Sequence, residues 1–187
     1  MRYAQDHKAQ THQRILQEAS ARFRRDGIGA TGLQPLMKAL GLTHGGFYAH
    51  FKSKDDLVEK ALRCAVDECI ERTEPVFAQE RALETFVDFY LSEGHRNNAE
   101  QGCPLPTMSC ELGQRGQPSP ITDEFIQTRL ASLKNVLPGP DADAQSLVIM
   151  STLVGALMLS RSVQDPKLSD RILATTREWL KTPPDQA

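Results

Sequence analysis

The stretch TGLQPLMKALGLTHGGFYAHFKSK, residues 31–54, constrains the fold of this 187-residue chain more than any other. Apolar residues at helical spacing flank Gly41, which leaves room for two short helices and a tight turn between them. The first is expected from about Thr31 to Leu40. Pro35 has no amide hydrogen and fits only within a first turn, which sets the helix start at or close to Gly32. The second is expected from Thr43, its N-cap, to about Phe51. Inside it Gly45 and Gly46 stand side by side, although each costs a helix interior roughly 1 kcal/mol relative to alanine. Local stability does not explain the pair.

Two short helices about a glycine turn have the dimensions of a helix-turn-helix, whose second helix enters a major groove of DNA. At about 100° per residue, Phe47 and Phe51 share one face and Gly45 and Ala49 take the opposite one. The phenylalanines are then core, and the outward face is nearly bare. Such a helix can bring its backbone close to another surface, with Thr43, His44, Tyr48 and His50 still reaching outward to base edges and phosphates. Lys52 and Lys54 follow at once, beside a further helix whose first amides can hold a phosphate. Charge agrees with this placement. Residues 1–63 hold 11 Lys and Arg against 6 Asp and Glu, whereas residues 64–187 hold 11 against 18. A basic head on an acidic body suits a polyanion partner, since phosphate neutralisation needs Lys and Arg.

The remaining chain is helical in period, without alternating β-branched runs, so the fold class is all-α. Nine helices are expected: about 8–26, 31–40, 43–51, from Ser53 to a stop or kink at Pro75, 82–95, 103–115, 121–137, 141–163 and 167–181. The tail TPPDQA is expected to fray. No signal peptide is evident in Met1 to Ser20 and the longest apolar run, Leu147–Leu159, is 13 residues, short of the roughly 20 a membrane span needs. A cytoplasmic protein without membrane contact is expected. Cys64, Cys69, Cys103 and Cys110 lack zinc-site spacing and have no His cluster nearby, so neither a metal nor a cofactor is expected.

The sequence GFYAHFKSKDDL, preceded by LMKALGLTHG, resembles the DNA-binding signature of the tetracycline-repressor (TetR) family of transcriptional regulators. The resemblance covers about residues 10–60. It implies a three-helix DNA-binding domain at 1–54, a six-helix effector and dimerisation domain at 55–187, and a homodimer built largely on the last two helices. It further implies that Thr31 and Gln34 approach the backbone or groove edge, and that Thr43, His44, Gly46, Tyr48, His50, Lys52 and Lys54 line double-stranded DNA. Pro35 and Met37 depart from the family's more usual polar residue and small alanine.

In the body, Phe86, Phe89, Tyr90, Met108, Phe125 and Leu130 either surround an effector cavity or form plain core. In QGCPLPTMSC, Pro104 and Pro106 each fit only a first turn, which makes Cys103 the N-cap or first residue of its helix. A thiol at a helix N-terminus is favoured as thiolate. The GCPL segment also resembles TetR-like regulators that carry a Gly-Cys there and respond to electrophiles or oxidants. The other reading of Cys103 is a buried small hydrophobe. Cys110 lies about 10.5 Å further along a helix, beyond disulfide reach.

The run SLVIMSTLVGALMLS is apolar on nearly every face, and Leu168, Ile172 and Trp179 give the last helix a matching stripe. Together Leu147, Met150, Leu153, Val154, Leu157, Met158, Leu168, Ile172 and Trp179 are the expected homodimer interface, and a two-fold dimer implies a palindromic operator. The sequence therefore reads as a repressor released by a small-molecule or electrophile effector, not as an enzyme. The alternatives are a cysteine enzyme using Cys103 with His95 as base, and a DNA binder without an effector.

Overall fold

The computed structural model describes residues 2–182, the first four of these as backbone alone. All of the TPPDQA tail except Thr182 lies outside the described residues. Among the described residues there are nine α-helices and no strand: α1 (Arg2–Asp26), α2 (Leu33–Ala39), α3 (Lys54–Phe77), α4 (Ala82–Tyr90), α5 (Glu93–Asn97), α6 (Cys110–Gln114), α7 (Pro120–Val136), α8 (Ala142–Ser162) and α9 (Pro166–Lys181). Short 3₁₀ segments at His44–Ala49 and Ala99–Gln101 and a π-helical turn at Leu105–Ser109 complete the helical content.

Four expectations are corrected by local chemistry. The third helix is a 3₁₀ segment, not an α-helix. Pro75 lies inside α3, which runs only to Phe77; so near the end, the lost amide removes one bond without stopping the chain. The expected 82–95 helix breaks at Leu91, because the Ser92 hydroxyl accepts from the His95 amide and caps a new helix, α5. The expected 103–115 helix opens as a π turn, in which the Met108 and Ser109 amides both donate to the Pro104 carbonyl. Cys103 therefore precedes that turn, with Pro104 as its N-cap.

Packing groups the chain into two compact units, residues 1–68 with 99–121, and residues 69–98 with 122–187. In the first, Ile15, Ala19 and Phe23 of α1 are buried with Leu36, Met37, Phe47, Phe51, Leu57, Ala61 and Leu62. Arg24 is buried too. Its guanidinium donates to the Ser20 and Gly102 carbonyls and to Glu68 at 2.7 Å, so a single cation ties α1 to α3 and to the 99–102 segment. In the second unit α8 packs on α9, with Ser169 donating to the Ser160 carbonyl at 2.6 Å. By length and composition α8 is apolar enough to cross a membrane. It nevertheless buries Met150, Leu153 and Leu157 inside its own unit.

Candidate nucleic-acid interface

Gly32 is the N-cap of α2, as the position of Pro35 requires. Gly41 takes φ +72°, a conformation only glycine adopts readily, and the Leu42 amide returns to the Met37 carbonyl to close the turn. Thr43 then caps the 3₁₀ segment, its hydroxyl accepting from the Gly46 amide at 3.2 Å. Phe47 and Phe51 stack with centroids 5.5 Å apart, and His12 of α1 stacks on Phe51 at 4.4 Å. The segment is thus pinned from behind by aromatic packing, worth about 0.5–1.5 kcal/mol per pair beyond the area buried.

Its front is open. A Cβ built on Gly45 would meet nothing within 4 Å, and one on Gly46 only the Thr43 hydroxyl at 3.4 Å. Neither glycine has positive φ. Nothing inside the molecule requires glycine at either place. Thr43, His44, Tyr48 and Lys52 are exposed around this bare strip, and Gln34 is exposed on α2. Tyr48 is 61 % exposed, with its ring edge-on to those of His44 and Phe47.

Other expected contacts point elsewhere. Thr31 is buried and its hydroxyl donates to the Gly27 carbonyl at 2.8 Å, which removes it from the outward surface. Lys54 is half-buried, with Nζ donating to the Ile28 carbonyl at 2.7 Å. Burial, then the positive charge of Arg115, lowers its pKa. His50 is half-buried as well, and burial with the nearby His12 and Lys8 lowers its pKa. At the start of α3 the Asp56 amide is engaged already, donating to the Ser53 hydroxyl, and the Asp56 carboxylate accepts from the Lys52 amide and from Lys60. Internal ion pairs also use Arg22, Arg24 and Arg25. Lys8, Arg14, Lys38 and Lys52 are exposed cations of this region without an ion pair among the described residues, although Arg14 donates to the Leu40 carbonyl at 3.3 Å.

One contributor carries no local sequence signal. The Glu111 carboxylate of α6 accepts from the Ile28 amide at 2.6 Å and the Gly29 amide at 2.8 Å, and it pairs with Arg115. A Cβ on Gly27 or Gly29 would come within 3.0 Å of that carboxylate. The α1–α2 turn is therefore held on both sides, by Glu111 at its amides and by Lys54 at the Ile28 carbonyl.

The expected effector residues divide between the units. Met108 is buried in the first, whereas Phe86, Tyr90 and Phe125 are buried in the second, where Phe89 is partly exposed and Leu130 half-buried. Cys103 is buried and Cys110 half-buried, and no disulfide joins the cysteines. The Cys64 thiol is pushed up to about 11 by burial and by Glu68, unlike a reactive thiol. Among the described residues no three His, Cys, Asp or Glu side chains gather as a metal site.

On α8, Met150, Leu153 and Leu157 turn inward to the core of their own unit, a correction to the expected interface. Leu147, Val148, Leu159 and, on α9, Trp179 are 50 to 58 % exposed. Val154, Met158, Leu168 and Ile172 are half-buried. The outward stripe is thus Leu147/Val148, Ser151, Val154/Gly155 and Met158/Leu159, which follows the helical repeat.

The geometry defines an all-helical protein with a helix-turn-helix in its N-terminal region. Residues 15–61 match the family model for bacterial regulatory proteins of the tetR family, and the chain has that family's fold. The HTH-type transcriptional regulator AcrR of Shigella flexneri is 44% identical over 48 residues, 26% of this chain and 22% of that protein. The uncharacterized HTH-type transcriptional regulator YfiR of Bacillus subtilis (strain 168) is 24% identical over 103 residues, 54% of this chain and 50% of that one. The chain spans half or less of the length of these curated relatives. Among solved structures, E. coli NemR in its reduced form superposes with a TM-score of 0.73 at 17% identity, covering 92% of this chain and 95% of that one. At that identity the likeness is one of fold.

Proposed function

We propose that this protein is a homodimeric transcriptional repressor of the cytoplasm whose residues 1–54 bind a palindromic DNA operator and whose residues 55–187 answer to an effector and form the dimer. One observation carries the reading. Gly45 faces open space and Gly46 meets only the Thr43 hydroxyl, neither with positive φ, on a segment locked from behind by Phe47 and Phe51. A bare backbone at that point suits close approach to a groove, where Thr43, His44 and Tyr48 take base edges or phosphates and Lys52 a phosphate. Lys54 and Glu111 hold the preceding α1–α2 turn, at the Ile28 carbonyl and amide.

The outward stripe of α8 with Trp179 of α9 supports a two-fold interface, and Ser151 and Gly155 at its centre leave room for a partner helix to lie close. A repressor of this kind is released when a ligand binds better to the conformation whose recognition segments no longer match the half-site spacing. The effector is a small molecule or an electrophile. For an electrophile the thiol at issue is Cys103, whose burial means that a reagent must first open the 103–110 turn.

The test is a gel shift with a duplex that the wild-type protein selects from a random library. Combining Tyr48→Ala with Lys52→Ala, both at exposed positions, is expected to abolish the shift while the elution volume of the dimer stays unchanged. Unchanged DNA affinity in that double variant would overturn the assignment.

A further inference from the structure

The second unit buries a cation with no anion paired to it among the described residues. Arg129 of α7 is 4 % exposed, and its one hydrogen bond among the described residues runs from Nη2 to the Thr73 hydroxyl at 2.7 Å. Thr73 is neutral and buried, and it passes its own hydrogen to the Cys69 carbonyl at 2.6 Å. The guanidinium carbon lies 5.2, 5.1 and 5.6 Å from the ring centroids of Phe77, Phe86 and Phe125. These come from three helices, α3, α4 and α7, and form an aromatic box around the charge. Among the described residues no Asp or Glu pairs with it.

A guanidinium carries five N–H donors, and here one is used. Ring faces attract the cation but accept hydrogen bonds poorly, so the box compensates only part of the lost hydration. A buried charge is ordinarily paired. Phe125 and Arg129 stand four residues apart on one helix face, which places a phenyl ring and the guanidinium side by side. A carboxylate meets the planar fork of a guanidinium with two parallel hydrogen bonds, and the phenyl rings suit a flat apolar body attached to it.

We infer that Arg129, with Thr73 and the box of Phe77, Phe86 and Phe125, is a binding site for a small aromatic or similarly apolar monocarboxylate. The site deepens the ligand-responsive reading above, on which its regulatory use rests, by naming the chemical class of the effector.

The experiment titrates the full chain, free of DNA, with benzoate and with its neutral counterpart benzamide, by calorimetry at fixed ionic strength. Benzoate is expected to bind wild-type protein at least about tenfold more tightly than benzamide. Arg129→Met is expected to erase that preference, whereas Arg129→Lys, which keeps the charge and loses the fork, is expected to retain part of it. Equal affinity for the two probes, no binding of benzoate, or a preference that survives in Arg129→Met would each overturn the site. The benzoate-to-benzamide comparison on wild-type protein decides the matter even where a variant fails to fold. Because DNA is absent from the titration, failure here is separate from failure of the operator reading, which the gel shift tests.

Discussion

Alanine at Gly45 or Gly46 should move stability and DNA affinity in opposite directions. A Cβ at Gly45 meets nothing within 4 Å, and at Gly46 it meets the Thr43 hydroxyl at an ordinary contact of 3.4 Å. Both positions have φ that alanine accepts. Each substitution should therefore stabilise the folded protein by about 0.4–1 kcal/mol, chiefly by reducing the freedom of the unfolded chain. For a chain of this size that is a rise in melting temperature of about 1–4 °C. On DNA the same methyl group stands between backbone and groove. If it disrupts the contact as one mismatched base pair does, the loss is about 1–3 kcal/mol, or roughly 5- to 150-fold in Kd. Thermal melting and fluorescence anisotropy on a labelled selected duplex measure the two quantities on one preparation. A raised melting temperature with undiminished affinity in both variants would show that the glycines are not there to let DNA approach, and would remove the main support of the proposed interface.

Glu111→Ala leaves the amides of Ile28 and Gly29 without their acceptor, and Ile28 is buried, so a loss of about 1–3 kcal/mol is expected. An unchanged melting temperature would deny that Glu111 holds the α1–α2 turn. His95 is pushed down to about 4 by burial and by Arg161 and Arg72, against the opposing hydrogen bond to the Tyr90 carbonyl. The unfolded chain then binds the extra proton first, so this stabilisation is complete above about pH 6.5 and is lost as pH falls towards 4. His95→Gln should flatten the melting temperature across that window, and an identical pH profile would refute the assignment. Leu159→Glu adds a charge at a position 58 % exposed within one chain. Light scattering should then report the mass of a single chain instead of two, and a persisting dimer would place the interface elsewhere.

Much of the N-terminal region was legible in the sequence because its signals are local. Pro35 and Gly32 set the start of α2, Gly41 its end, and Thr43 the cap of the next segment, each through neighbours within a few residues. The spacing of Phe47 and Phe51 identified the buried face without reference to what packs on it. The all-α class followed in the same way, from the 3.6-residue period of one helix after another.

Side-chain direction was a different matter, because it depends on partners distant in the chain. Thr31 and Lys54 read as outward contacts, yet Thr31 is turned back to Gly27, and Ile28 draws Lys54 inward across 26 residues. Met108 and Phe86 look like members of one stripe and belong to different units. On α8, apolar on nearly every side, composition could not separate Leu157, which is core, from Leu159, which is exposed. Glu111 and Arg129 carried no signal at all, since an acidic residue meeting two amides 82 and 83 residues away, and a cation among phenylalanines from three helices, exist only once those helices have packed. The sequence by itself determined the all-α class, the start and end of α2 and the buried face of the segment after it, because those follow from local backbone chemistry and periodicity. Tertiary packing alone decided which polar groups would be buried together, because that depends on which distant segments exclude water from one another.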